Sequence, residues 1–129
     1  MPKLRRINVV FIYVADMERS RRFYEDVVGF GQPILKTESW VEYRLEGGAH
    51  FALHRTTPEA LEGGRPVGSN IRFSIVVDDL AEACAQLEGK GVELVRPPEK
   101  GYGFDLAEFE DPEGNPIRFL QFTTMKPVE

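Results

Sequence analysis

Val14-Ala15-Asp16-Met17 and, 63 residues further on, Val77-Asp78-Asp79-Leu80 are the stretches that decide the fold. Each follows a run of β-branched and aromatic residues, Ile7–Val14 and Ile71–Val77, which read as strands. Each precedes a helical pattern. Asp16 is a good N-cap for a helix over 17–28, with Met17, Ser20, Tyr24, Val27 and Val28 on one face and Phe23 beside them. Asp79 caps a helix over 80–89, and Glu82 three residues later completes a capping box. Leu80, Ala83, Cys84 and Leu87 form its apolar face. Gly29 closes the first helix, and Gly89 and Gly91 the second.

Outward from these handovers the rest falls into place. Short strands are expected at 32–37, 39–46 and 50–55, with a Glu46-Gly47-Gly48 hairpin turn. A second set is expected at 92–96, 104–110 and 116–123, with Asp111-Pro112-Glu113-Gly114-Asn115 as a turn. Residues 56–69, rich in glycine and proline, read as a linker. Leu45-Glu46 and Phe109-Glu110, 64 apart, extend the repeat to the last hairpin of each half. Each half therefore reads β-α-β-β-β. The expected fold is α+β: two βαβββ modules, 5–63 with the linker and 64–124, forming a cupped mixed sheet with helices outside.

Composition narrows the function. The chain has 129 residues, 16 Lys+Arg against 21 Asp+Glu, two His and one Cys. A net charge of −5 does not suit nonspecific nucleic-acid binding. No apolar run reaches membrane-span length, and no secretory signal is visible, so a cytoplasmic domain is expected. A single cysteine excludes an internal disulfide and a cysteine zinc cluster.

Strand alternation assigns facings. In the last strand Ile117, Phe119 and Gln121 should face the helix, and Arg118, Leu120 and Phe122 the cup. In 50–54 the cup set is His50, Ala52 and His54, with Phe51 and Leu53 behind.

The helix stretch Val14–Tyr24 with Gly29-Phe30, the segment Val77-Asp78-Asp79-Leu80, Tyr102-Gly103, and Phe109-Glu110-Asp111-Pro112-Glu113-Gly114-Asn115-Pro116-Ile117 resemble the vicinal oxygen chelate superfamily of glyoxalase I, extradiol dioxygenases and bleomycin-resistance proteins. The resemblance spans about 7–123. It implies a homodimer and, in catalytic members, a divalent metal (Zn, Ni, Mn or Fe) held by His, Glu or Gln on the first and last strands of each module. Carried onto this chain, those positions are Val9, His54, Arg72 and Arg118. Valine offers no donor and arginine stays protonated. One histidine remains where about three ligands are needed. No cofactor is therefore expected, a metal belonging only to the alternative reading.

The remaining candidates are weighed one by one. His54 is a ligand contact, a general base, or a strand histidine near a rim; His50 reads as a hairpin residue near solvent. Arg72 and Arg118 would either hold an anionic ligand or pair with Glu42, Glu46, Asp105 or Glu108 in a structural network. Arg44 joins Glu42 and Glu108 among the cup candidates. Trp40, Tyr43, Tyr102, Phe104 and Phe122 are candidate aromatic walls, and Gly101-Tyr102-Gly103-Phe104 reads as a lid. Phe23 and Tyr24 read as helix packing, Cys84 as a buried small hydrophobe, and Arg19, Arg21 and Arg22 as a solvated face offset by Glu18, Glu25 and Asp26.

The sequence thus supports a metal-free protein that binds a small anionic or aromatic molecule, with no nucleic acid or membrane as partner. Two enzyme readings stand beside it: a metal-dependent lyase or dioxygenase with an unusual ligand set, and a metal-free enzyme using His54 or a Glu as general base.

Overall fold

The computed structural model describes residue 3 and residues 5–57 and 73–124. Arg72, most of the expected linker and the expected boundary at 63/64 lie outside them. The chain divides into two compact units between residues 67 and 68.

The first unit runs β1 (Val9–Val14), α1 (Met17–Arg22), a π-helical continuation (Phe23–Val28), β2 (Leu35–Lys36), β3 (Trp40–Tyr43) and β4 (His50–Arg55). The second runs β5 (Ser74–Val76), α2 (Leu80–Gly89), β6 (Arg96–Lys100), β7 (Phe104–Glu110) and β8 (Pro116–Phe122). The sheets share one plan, β1-β4-β3-β2 and β5-β8-β7-β6. In each, the first and last strands pair in parallel and the other neighbours antiparallel. The βαβββ repeat is thus present in both halves.

Both caps form as expected. Asp16 Oδ1 accepts from the Arg19 N–H at 3.0 Å, and Asp79 Oδ1 from the Glu82 N–H at 3.0 Å. Gly29 takes φ 102°, a left-handed value that favours glycine. In the last turn Asp111, buried, accepts from the Glu113 and Asn115 N–H groups at 2.9 and 2.8 Å.

Each core lies between its helix and one sheet face. In the first unit Tyr24, fully buried, packs on Phe51, and Ile12, Val14, Val41, Tyr43 and Leu53 share that face. In the second, Leu80, Cys84 and Leu87 come from α2, and Ala107, Phe109, Ile117 and Phe119 from the sheet. Gln121 faces the helix too, and its Oε1 accepts from the Leu80 N–H at 2.7 Å. Burial pushes the Cys84 thiol above its ordinary range, with Glu88 adding to the shift.

Three expectations are corrected. The strand expected at 92–96 lies at Arg96–Lys100 instead. The Val92 N–H is used to close α2, donating to the Leu87 carbonyl at 3.0 Å. Pro97 and Pro98 are tolerated because β6 is an edge strand with a register shift between Arg96 and Glu99.

The helix over 17–28 is α-helical only to Arg22. The wider π winding turns Glu25 inward, where it accepts from the Tyr43 hydroxyl at 2.7 Å and from Arg21 Nε at 2.9 Å. Glu25 and Arg21 are therefore not part of a solvated face, whereas Arg19 and Arg22 are exposed.

The second hairpin repeats at 66 residues, not 64. Glu42 lies opposite Ala52 and Glu108 opposite Arg118, and the fully buried Tyr43 and Phe109 correspond. The helix caps keep the 63-residue offset, so the second unit carries three extra residues between its helix and its third strand.

Candidate functional site

Each sheet turns one face to its helix and the other away from it. The away face carries the candidate chemistry. In the first unit it presents Val9, Phe11 and Tyr13 from β1, His50, Ala52 and His54 from β4, and Trp40 and Glu42 from β3. The facings expected for 50–54 are those observed.

Ala52 has no exposed surface. It lies opposite Phe11 on one side and Glu42 on the other. Strands β1 and β3 are two strand spacings apart, about 10 Å. Yet the Phe11 and Trp40 ring centroids are only 5.3 Å apart. The two rings therefore lean together across β4 and roof the Ala52 methyl. His54 joins them, 5.8 Å from Phe11, 5.6 Å from Trp40 and 5.2 Å from Tyr13. The result is a four-ring platform. His54 Nδ1 is enclosed within it and has no hydrogen-bond partner among the described residues. A buried polar atom left unpaired costs about 1–3 kcal/mol.

At the edge of the platform a carboxylate is held from both sides. Trp40 Nε1–H donates to Glu42 Oε1 at 2.9 Å, and His50 Nδ1 meets Glu42 Oε2 at 2.6 Å. The hydrogen bond from His50, then that from Trp40, hold the Glu42 carboxyl below its ordinary range, against the opposing effect of burial. An ionised carboxylate can only accept, so His50 Nδ1 carries the proton and donates. No hydrogen bond engages His50 Nε2 among the described residues. His50, at the start of β4, is thus held by Glu42 while its side chain stays 30% exposed. Its signal was present in the sequence as two alternations, His50/Ala52/His54 and Trp40/Glu42, on neighbouring strands.

The away face of the second unit carries Arg118, Leu120 and Phe122 from β8, Phe104, Leu106 and Glu108 from β7, and Ser74 and Val76 from β5. Arg118 faces Glu108 at 3.9 Å, the outer limit of an ion pair, and its side chain is 35% exposed. Glu108 and Glu42 hold equivalent positions in the two units. Asp105 pairs with Gln121 and so stands on the helix-facing side, while Arg44 and Glu46 are exposed beyond the end of β3. The helix-facing side takes Asp105 away from Arg118. Tyr43, a candidate wall, belongs to the helix-side core. Tyr102 is exposed in the β6–β7 turn, and Phe104 lies opposite Phe122. The Gly101–Phe104 segment forms a tight turn. The Gly101 N–H donates to the Phe104 carbonyl, and the Gly103 carbonyl accepts from the Thr123 N–H. A Cβ on Gly101 would meet Phe104 Cε2 at 2.8 Å and the Phe104 carbonyl oxygen at 2.9 Å.

The register also revises the ligand positions. Ser74 lies opposite Arg118. Its counterpart 63 residues earlier, Phe11, lies opposite Ala52. Ala52, not His54, therefore stands where Arg118 stands in the second unit. Neither Val9 nor Ala52 has a donor atom, and Arg118 is a cation facing a carboxylate. Among the described residues no group of three or more His, Cys, Asp and Glu could hold a metal ion. This donor set does not fit the metal that catalytic relatives of this fold carry. No described helix is long and apolar enough to cross a membrane.

Comparison with known proteins places this geometry in a family. Residues 6–119 match the family model of the glyoxalase/bleomycin resistance protein/dioxygenase superfamily. A lactoylglutathione lyase of Haemophilus influenzae is 29% identical over 126 residues, covering 88% of this chain and 90% of that protein. TnmS3, an antibiotic binding protein from Streptomyces sp. CB03234, superposes with a TM-score of 0.76 at 25% identity, over 95% of this chain and all of that one. A superfamily member from Sphaerobacter thermophilus superposes with a TM-score of 0.73 at 25% identity, over 92% and 98% of the two chains. The chain belongs to the glyoxalase/bleomycin resistance protein/dioxygenase superfamily.

Proposed function

We propose that this chain is a metal-free binding protein for a planar aromatic small molecule, and that the ligand stacks on the platform of Phe11, Tyr13, Trp40 and His54. The observation that carries the reading is the ring cluster itself. Four rings meet within 6 Å on a sheet face turned away from its own helix. A separate aromatic cluster of Tyr24, Phe30, Tyr43 and Phe51 packs the helix-side core. The likeness to an antibiotic binding protein supports the same class of activity. Rings rather than arginines lead the reading, because Arg118 already faces Glu108.

Trp40 is the only tryptophan in the chain, so its emission reports this platform directly. The test is a titration of planar aromatic acids and peptide antibiotics, followed by Trp40 fluorescence and thermal unfolding. At a hundredfold excess over Kd, binding to the native state adds about 2.7 kcal/mol of stability. Phe11→Ala should abolish both signals. Silence across the panel, with Zn, Ni, Mn or Fe raising the melting temperature instead, would transfer the protein to the metal-dependent lyase or dioxygenase reading.

A further inference from the structure

We propose that the Glu42–His50 pair makes the rim of the aromatic platform a hydrogen-bond acceptor, and that the site selects planar ligands bearing a phenolic or enolic hydroxyl. The inference rests on the platform reading above and names its ligand class.

The argument starts from the donor and acceptor inventory. An indole N–H can only donate and an ionised carboxylate can only accept. Trp40 therefore orients one oxygen of Glu42, at 2.9 Å, and leaves the other for His50, at 2.6 Å. That second contact requires a proton on His50 Nδ1. In the neutral ring the lone pair is then on Nε2, the nitrogen with no partner among the described residues. The His50 side chain is 30% exposed, so a ligand can reach it. Trp40 belongs both to the platform and to this hydrogen-bonded chain. The imidazole is therefore joined through one carboxylate to the ring on which the ligand stacks. A hydroxyl at the edge of a stacked ring can donate to Nε2. Its methyl ether cannot, and it leaves the acceptor unpaired under the ligand.

A site built to pair with a hydroxyl discriminates strongly against the analogue lacking it. The probes are 2-naphthol and 2-methoxynaphthalene, measured at neutral pH by equilibrium dialysis against the intact chain. The expected result is that naphthol binds at least tenfold more tightly than the ether. His50→Ala should bring the ratio close to one. Glu42→Gln should do the same while keeping the side-chain shape, because its amide N–H reverses the His50 tautomer and turns Nε2 into a donor. Circular dichroism confirms that each variant is folded, and Glu42→Gln decides the matter if His50→Ala does not fold. A wild-type ratio near one, or a ratio unchanged in the variants, overturns the hydroxyl inference and leaves the aromatic platform standing. Failure of both naphthalenes to bind overturns the two together.

Discussion

Glu42→Gln tests the electrostatics of the site through stability alone, without any ligand. The Glu42 side chain is 15% exposed and makes two hydrogen bonds, to Trp40 and His50. Bonds to a charged partner contribute about 1.5–3 kcal/mol each and neutral ones about 0.5–1.5. Glutamine keeps the bond from Trp40 in neutral form and forces His50 to reverse its roles. The difference is about 1 kcal/mol per bond, or about 2 kcal/mol in all at pH 7. For a chain of this size that corresponds to a melting temperature lower by roughly 6–8 °C.

The pH dependence supplies a sharper check. The folded-state pKa of Glu42 lies below its ordinary value of 4.5. Such a group contributes its stability above the unfolded value, and the contribution is lost as pH falls through the folded one. Protonated Glu42 then resembles glutamine. The gap between wild type and Glu42→Gln, measured by urea unfolding, should be widest near neutrality and narrow as pH falls below 4.5 and through the lower folded-state value. A gap of the same size at both ends would refute the charge-assisted account. So would a variant as stable as wild type at pH 7.

Two further outcomes follow from the packing. Tyr43→Phe removes a buried hydroxyl donated to Glu25 at 2.7 Å, while Glu25 keeps its bond from Arg21. The variant should lose about 1.5–2 kcal/mol in urea unfolding, the lower part of the range for a charged acceptor, whereas Tyr13→Phe, at an exposed position, should change little. Ala52→Leu pushes side-chain volume under the Phe11–Trp40 contact, which should cost about 1–3 kcal/mol and shift Trp40 emission to the red. An unchanged spectrum would show that the rings do not depend on the small residue beneath them.

The sequence made the repeat legible because its carriers are local. An aspartate cap needs only the next three residues, and Asp16 and Asp79 behave alike. Strand parity is equally local, so the facings of 50–54 and 117–122 could be read directly. Longer reach failed in instructive ways. The 64-residue offset rested on Leu45-Glu46, which lie past the end of β3. Only the cross-strand register showed that Glu42 and Glu108 correspond. The same register moved the expected ligand position from His54 to Ala52. Glu25 was misplaced because a 3.6-residue period cannot foresee π winding, which turned it beneath Tyr43.

By itself, then, the sequence determined two βαβββ modules, their caps and turns, and the lack of metal donors at Val9 and Arg118. Those features depend on residue type and on neighbours close in the chain. Tertiary structure alone decided that Phe11, Trp40 and His54 meet over Ala52 and that Glu42 locks His50 to Trp40. These contacts join three strands, and nothing short of strand pairing sets their distances. The physical reason is register: a pairing shift of two residues keeps every side chain on its face and changes every partner it meets.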